Sequence, residues 1–502
     1  MRVLVTGGSG VIGAGLIPEL IKRGIEVRLL SRGANEEAEA WPEGVDPFPA
    51  DVANPETLKG AADQCDAVVH ITGIVDEDPP DVTYAKVNVE GTANMLAEAE
   101  RSGAPRFIYI SSLGADRGES DYHRSKLQAE EKVRAYGGPW IILRPGNVYG
   151  PGDDVISRVL KMARSLPAIP VVGHGDQPFQ PIWYEDLGRA IADSVTRSDL
   201  PGQTLQLAGD ETVTTSDLVE KISEIVDRKI FALPIPLFAA GLAAKSASIL
   251  GVDFPLTESR LAMLLEENLV PEGEANALTT IFGLSPLPLD EGLRQLATKI
   301  PEVTPSEGVG ALERKRFWAD IEGSDRTPQE LMNDFRENYK EILPIDFGVE
   351  GDGGARLEEG ETISAALPIR GHIQIRVEES TPTRITFGTI EGHPLAGIVQ
   401  FSSSKKNDRL TFMVEVHSRA AGWFDFLAMK MGGETAQRLN WETVVERMVE
   451  RSGGMAADGV QNEKETIDDE REETSVESWV ERFVTRRRRH EAEEQTGARP
   501  GR

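Results

Sequence analysis

MRVLVTGGSGVIG, residues Met1 to Gly13, decides how the first half of this chain is read. Val3, Leu4 and Val5 are the short apolar run of a strand buried on both faces, and a glycine-rich turn, Thr6 to Gly13, follows directly. Strand, glycine turn and helix come in the order a dinucleotide site requires. Gly7 lets the chain turn sharply. Gly10, with Val11 and Ile12 beside it, lets backbone N–H groups approach a pyrophosphate, and Gly13 lets the helix pack closely on the strand. A bland glycine turn is the competing reading, but the sequence also supplies the helix: Leu16, Ile17, Leu20 and Ile21 recur at helical spacing and stop at Gly24.

Working outward, Glu26 to Arg32 reads as a second strand that ends in a cation. An acidic residue there serves the ribose diol of NAD, whereas a basic one neutralises the 2′-phosphate of NADP, so Arg32 favours NADP, with NAD as the alternative. Pro47 to Val52 reads as a third strand, with Asp51 placed to meet an adenine amino group and Val52 beside it. Asp66 to Gly73 is a fourth, and its small ending, Ile71-Thr72-Gly73, leaves room for the cofactor. Asn88 opens the next helix. Arg106 to Ser112 is a buried strand that ends in hydroxyls, and ten residues past Ser112 stands Tyr122-His123-Arg124-Ser125-Lys126. Residues four apart share a helix face, so Tyr122 and Lys126 point the same way. A phenol of ordinary pKa about 10 is a poor acid–base group at neutral pH, and a nearby ammonium lowers it into range. A serine hydroxyl from a strand end, Ser112, can then hold the reacting oxygen.

These motifs resemble the short-chain dehydrogenase/reductase superfamily, in its extended or atypical, epimerase-like branch. The residues that carry the resemblance are Thr6-Gly7-x-x-Gly10-x-x-Gly13, Asp51-Val52, Val87-Asn88-x-x-Gly91-Thr92, Ser111-Ser112, Tyr122-x-x-x-Lys126, Arg144 to Asp153, and Pro181 to Leu187. The resemblance implies that Ser112, Tyr122 and Lys126 are the catalytic set, that Lys126 also binds the nicotinamide ribose, that Asn88 belongs to the cofactor site, and that Pro145 and Val148 line the nicotinamide. One departure is the loop Leu113 to Asp121, nine residues, shorter than in sugar-nucleotide epimerases. Gly202 to Gly209, Thr214 to Leu218, Leu264 to Asn268 and Phe282 to Leu284 look like the NAD(P)-binding accessory subunit branch of complex I.

Length bounds the rest. At 502 residues the chain holds two or three domains. We expect a Rossmann-type doubly wound α/β domain over 1–300, with a small substrate subdomain from about 150 to 300, then a Pro/Gly/Ser-rich linker at 301–310. In the next unit, 311–452, alternating stretches around 372–377, 384–387, 398–401 and 410–416 read as strands, and Thr435 to Arg451 as a closing helix. This α+β half resembles, more loosely, a START/SRPBCC-like helix-grip family through Phe387-x-Thr389-x-x-Gly392-His393-Pro394-x-x-Gly397 and Ser418-Arg419, which implies a pocket for an apolar ligand. His393 reads as a turn residue before Pro394, and Arg419 as a surface residue. Residues 453–502 are charged, and Glu463 to Glu473 has too little apolar surface to offset its ordering, so we expect a disordered tail. Val476 to Val484, with Trp479 and Phe483, ahead of Arg486 to Arg489, is the pattern of a weak contact with anionic lipid or a protein partner.

Composition excludes several classes. The net charge of −29, from 83 acidic and 54 basic residues, argues against nucleic acid as a partner. One cysteine, Cys65, rules out an intrachain disulfide, and seven histidines lack metal-ligand spacing. The apolar stretch from Phe231 to Leu250 is broken by Pro234, Pro236 and Lys245, and no basic leader precedes the first strand, so we expect a soluble cytoplasmic protein without an integral membrane segment. The sequence therefore reads as an NAD(P)-dependent oxidoreductase acting on a carbonyl or alcohol of a small, apolar substrate. Its rivals are a cofactor-holding scaffold or sensor without turnover, and a nucleotide-sugar epimerase or dehydratase.

Overall fold

In the computed structural model, the apolar run of the opening stretch becomes β1 (Arg2–Thr6), an interior strand of a seven-stranded parallel sheet. The structure describes residues 1–35, 41, 45–103, 105–153, 155–165, 168–226, 229–239, 241, 258–298, 303–344, 357–367, 371–391, 393–406, 409–421, 434–467 and 472–480, with 482, 485 and 489. After α1 (Val11–Lys22) come β2 (Glu26–Ser31), β3 (Val45–Pro49), β4 (Ala67–His70), α2 (Gly91–Arg101), β5 (Arg106–Ile110), α3 (Asp121–Arg134), β6 (Trp140–Pro145), α4 (Tyr184–Thr196) and β7 (Gln203–Leu207). The sheet order is β7-β6-β5-β4-β1-β2-β3. Strand alternation explains the layers: Val3 and Val5 pack with Leu16, Leu20 and Ile191 on one face, while Leu4 packs with Met95, Phe107, Ala129 and Val133 on the other. The chain leaves β1 for β2 and β3 and returns to β4 on the opposite side, which opens a crevice at the carboxyl ends of β1 and β4. This is the doubly wound α/β architecture expected.

The strands stop earlier than the sequence suggests, and the ends matter. Arg32 lies in a turn after β2, Asp51 and Val52 lie past β3, and Ser111 and Ser112 lie past β5. Each thereby stands at the crevice end of its strand. Further on, Ala168–Val172 pairs in parallel with Phe231–Ile235, and a short helix, α5 (Glu258–Leu264), precedes an irregular segment.

Contacts separate a unit built on Met1–Lys299 from one built on Ile300–Arg488. The second unit starts with β8 (Val309–Glu322) and α6 (Pro328–Ile342), whose start is fixed by a reciprocal cap between Thr327 and Glu330. An antiparallel meander follows: β9 (Thr362–Leu367), β10 (Gly371–Thr381), β11 (Arg384–Thr389), β12 (Leu395–Lys406) and β13 (Arg409–Ala420), with β8 paired to β13. α7 (Glu434–Ser452) buries Val444, Val445 and Met448 in the same core as Phe335, Phe387, Phe401 and Phe412. The second unit is thus an α+β domain with a long closing helix.

Three expectations need correction here. The stretch read as a linker is tied into the second unit: Val303 N–H donates to the Thr389 carbonyl at 2.9 Å and Val303 is buried, while residues 301–302 lie outside the described residues. The stretch read as too acidic to fold forms β14 (Gln461–Ile467) on the free edge of β8. Its carboxylates are neutralised there, Glu463 by Arg316 and Glu465 by Arg314, and residues 472–480 are helical. Arg419 is not a surface residue: its side chain is 11% exposed and pairs with Glu473 and Glu477. His393 does sit in a turn, its Nδ1 accepting from the Leu395 N–H at 3.0 Å, and Gly392 lies outside the described residues.

The closest approach in the first unit is testable. A Cβ on Gly13 would fall 1.9 Å from the Gly8 carbonyl oxygen, so Gly13→Ala must push α1 off the turn. The expected cost is on the order of 1–3 kcal/mol, read as a lower midpoint in urea unfolding; an unchanged midpoint refutes this packing.

Candidate active site

The site grows from the turn between β1 and α1. Gly7 has φ +69°, and a Cβ on it would stand 2.8 Å from the Thr72 backbone nitrogen, so this turn touches the chain leaving β4. Gly10 begins α1 without a side-chain cap, and no acidic residue occupies the first turn. A Cβ on Gly10 would meet one atom within 4 Å, the Gly7 carbonyl oxygen at 3.8 Å. An anion placed there meets open space and, beside Val11 and Ile12, the positive end of a twelve-residue helix. The turn fits a dinucleotide pyrophosphate.

The flanking residues divide. Arg32 is exposed at the mouth of the crevice. Asp51 is half-buried and accepts the Ala53 N–H at 2.9 Å. Val52 departs from the expectation: its side chain is buried in the core against the position of Gly91, and its carbonyl accepts from Asn94. Gly73 is exposed, and a Cβ there would lie 2.9 Å from Lys126 Nζ and 3.4 Å from Asn88 Oδ1. Asn88 is fully buried. Its Oδ1 accepts the Ile74 N–H at 2.8 Å and its Nδ2 donates to Ser125 Oγ at 2.9 Å, which ties the end of β4 to α3. Pro145 is buried at the end of β6, its carbonyl accepting the Leu113 N–H at 2.8 Å, and Val148 is half-buried beside it in sequence, paired with Ile182.

Ser112, Tyr122 and Lys126 converge where β5 meets α3. Ser112 is buried, its hydroxyl donating to the Leu113 carbonyl at 3.3 Å, and it stands close enough to the Tyr122 phenol to favour its ionised form. The Tyr122 ring lies edge-on to Tyr84 at 6.2 Å. Lys126 Nζ donates to the Ile110 carbonyl at 3.0 Å and stands 5.1 Å over the Tyr109 ring. Burial pushes the ammonium down to about 8, and Glu130 acts in the opposite sense. The phenol corrects a simple expectation. Burial pushes Tyr122 up to about 12, with Tyr84 acting in the same sense and Ser112 against it, while the Lys126 ammonium donates to the Ile110 carbonyl.

Other residues complete the site without a spacing that announces them. Thr6 faces His70 in the β1/β4 register, with Thr6 Oγ1 and His70 Nδ1 2.8 Å apart. His70 Nε2 lies 3.1 Å from Thr92 Oγ1, which donates to the Asn88 carbonyl at 2.7 Å, while Thr6 Oγ1 accepts the Thr72 N–H at 3.3 Å. These directions fit a neutral imidazole protonated at Nε2. Burial, then the charge of Lys126, push His70 down to about 3. Tyr84 donates to the Val75 carbonyl at 2.7 Å. Among the described residues no cluster of His, Cys, Asp and Glu is arranged to hold a metal, and no helix is long and apolar enough to cross a membrane.

In the second unit the helix-covered face of the sheet is filled by aromatic rings, Phe335 against Phe401 at 4.7 Å and Phe401 against Trp441 at 5.8 Å. A cavity of about 330 Å³ lies on the opposite face, lined by Arg314, Arg316, Glu415, His417 and Trp479 among others. Its lining is charged. Trp479 packs on His417 at 5.3 Å and Val480 against Ile398, so these two side chains are covered within the unit. Phe483 and Arg486 to Arg488 lie outside the described residues.

His70 yields a pH test. An unfolded imidazole protonates near 6.5 and the folded one near 3, so its share of stability is complete above pH 6.5 and is lost as pH falls toward 3. His70→Gln should flatten the loss of unfolding free energy between pH 6.5 and 4; equal slopes in the two proteins refute the neutral assignment.

Comparison with known proteins agrees with this geometry. Residues 3–208 match the model of the NAD dependent epimerase/dehydratase family. The chain is 25% identical over 286 residues to NADH dehydrogenase [ubiquinone] 1 alpha subcomplex subunit 9, mitochondrial, of Arabidopsis thaliana, covering 55% of this chain and 69% of that protein. It is 31% identical over 172 residues to ceramide reductase of Caulobacter vibrioides, covering 34% and 53%. It is 30% identical over 173 residues to 4-hydroxy-2-methyl-3-oxo-4-farnesyl-3,4-dihydroquinoline-1-oxide ketoreductase of Stigmatella aurantiaca, covering 30% and 52%. The match thus spans about half the length of the last two. The segment from 3 to 208, which carries the glycine turn, the crevice and the strand order, thus matches the model of the NAD dependent epimerase/dehydratase family.

Proposed function

We propose that the first unit is an NADP(H)-dependent oxidoreductase that interconverts a carbonyl and an alcohol on an apolar substrate. The observation that carries this reading is the convergence of Ser112, Tyr122 and Lys126 at the crevice end of β5, beside the Gly7 to Gly13 turn. The bound nicotinamide supplies or accepts the hydride. Ser112 holds the substrate oxygen, Tyr122 Oη gives or takes the proton there, and Lys126 supplies positive charge and a donor toward the ribose. Asn88 and Gly73 keep that donor's surroundings narrow. Arg32, exposed past β2, supports a 2′-phosphate over a free diol. The names of the two relatives about 30% identical, a ceramide reductase and a ketoreductase of a farnesylated quinoline, support an apolar carbonyl substrate.

Two other readings have support. The complex I subunit among the relatives favours a cofactor-holding scaffold without turnover. The family name favours an epimerase or dehydratase, against which stands the nine-residue loop from Leu113 to Asp121. Tyr122→Phe separates them. A reductase loses at least 100-fold in NADPH-dependent reduction of a long-chain ketone yet keeps its NADPH affinity within threefold; unchanged turnover refutes the assignment. Arg32→Ser should weaken NADPH about tenfold, roughly 1.4 kcal/mol, and leave NADH alone. Because Lys126 loses its proton as pH rises through about 8, turnover should fall above that pH, and Lys126→Arg should carry the fall to higher pH.

A further inference from the structure

A carboxylate from far along the chain sits at the start of the helix that carries Tyr122. Glu266, just past α5, receives four donors. Its Oε1 accepts the N–H groups of Glu119 and Ser120 at 2.6 and 2.5 Å. Its Oε2 accepts Ser120 Oγ at 2.8 Å and meets His123 Nδ1. Burial pulls its pKa up, but Ser120 and His123 outweigh burial and the net direction is down, so it is held as an anion. An anion at this place suits the helix, because the dipole of α3 is positive there and the cap residue Ser120 is held by it.

His123 follows Tyr122 directly, with their rings 5.2 Å apart edge to face. It is 3% exposed, and its Nε2 is buried without a hydrogen-bond partner, so Ser120 and Glu266 at Nδ1 are its polar anchors. Gly118 makes room for it, since a Cβ there would stand 2.4 Å from His123 Nδ1. Neighbours of Glu266 hold the rest of the loop that leads from Ser112 to Tyr122. Asn268 Nδ2 reaches the Leu113 carbonyl at 3.5 Å, and Arg117 donates to the Leu269 carbonyl. On its other side this segment is fixed to Gln180, which donates its N–H to the Asn268 carbonyl at 3.0 Å and accepts the Val270 N–H at 2.7 Å. The loop is short and contains Gly114 and Gly118, so its shape is set by what grips it.

We propose that Glu266 is a positioning residue for Tyr122: through the first turn of α3 and His123 it fixes the loop that brings the Tyr122 phenol to Ser112. This inference rests on Tyr122 being the proton-transfer group. It assigns to the segment after α5 the task of completing the site, so that the phenol is correctly seated when residues 266–270 are docked on the loop.

The whole 502-residue chain tests it. With 3-fluorotyrosine incorporated, the ¹⁹F resonance of residue 122 is identified by its loss in Tyr122→Phe and followed against pH in wild type, Glu266→Gln and Glu266→Asp. Glutamine keeps the size but turns an NH₂ toward donors. Glu266→Gln should shift the residue 122 titration downward, toward ordinary tyrosine, by one pH unit or more, with NADPH affinity within threefold; Glu266→Asp should restore most of the wild-type curve. With a long-chain ketone as probe, kcat should fall at least tenfold in Glu266→Gln and KM stay within threefold. An unchanged residue 122 titration overturns the proposal. Should Glu266→Gln fail to fold, Ser120→Ala, which removes one donor, should give a smaller shift in the same direction, and no shift there overturns it too. If Tyr122→Phe turns over like wild type, the oxidoreductase reading fails, while the ¹⁹F titration still decides whether Glu266 governs the phenol.

Discussion

The first unit depends on one buried imidazole that must stay neutral. His70 bridges β1 and helix α2 at the place where the sheet order reverses, accepting from one threonine and donating to another. Because Thr92 passes its own proton to the Asn88 carbonyl and Thr6 accepts from Thr72, every group in the chain has a single direction to point. A fully buried network of this kind is favourable when complete and costly when one member is missing. Its effect is to tie the dinucleotide turn, which begins at Thr6, to Asn88, which fixes the backbone beside Lys126. The glycine turn and the strand end beside Lys126 are therefore one hydrogen-bonded piece.

Local rules made much of this legible. A glycine turn after an apolar strand, an alternation that places Val3 and Val5 opposite Leu4, and a tyrosine four residues before a lysine each follow from backbone geometry within a dozen residues. What spacing does not carry is the partner brought by the fold. Nothing near Tyr122 in sequence announces Glu266, and nothing near Glu463 or Glu465 announces Arg316 and Arg314, which turn an acidic stretch into an edge strand. Arg419 looks like any surface arginine until the helix at 472–480 brings Glu473 and Glu477 to it. In each case the reason is the same: sequence shows a charge only with its neighbours in the chain, and its stability is decided by its neighbours in space. The phenol shows the converse. Its helical spacing from Lys126 is as read, but the ammonium satisfies a strand carbonyl instead, and burial governs the proton.

That engagement of Lys126 has a structural reason. A buried ammonium keeps its charge when acceptors and counter-charge are close, and here the Ile110 carbonyl, the Tyr109 ring and Glu130 provide them. Glu130 is itself fully buried and is satisfied by Ser111 at 2.6 Å, by Arg144 through Nε at 2.8 Å and Nη2 at 2.7 Å, and by Arg134. Arg144 has a further partner in Asp116, within the loop that leads to Tyr122. Lysine, glutamate, arginine and aspartate thus alternate in sign from α3 through β6 to the loop that precedes α3. The arginine that precedes the proposed nicotinamide-lining backbone at Pro145 is accordingly a counter-charge to α3: it fixes the height of the helix face that presents Lys126, and through Asp116 it sets one end of the loop whose other end Glu266 holds.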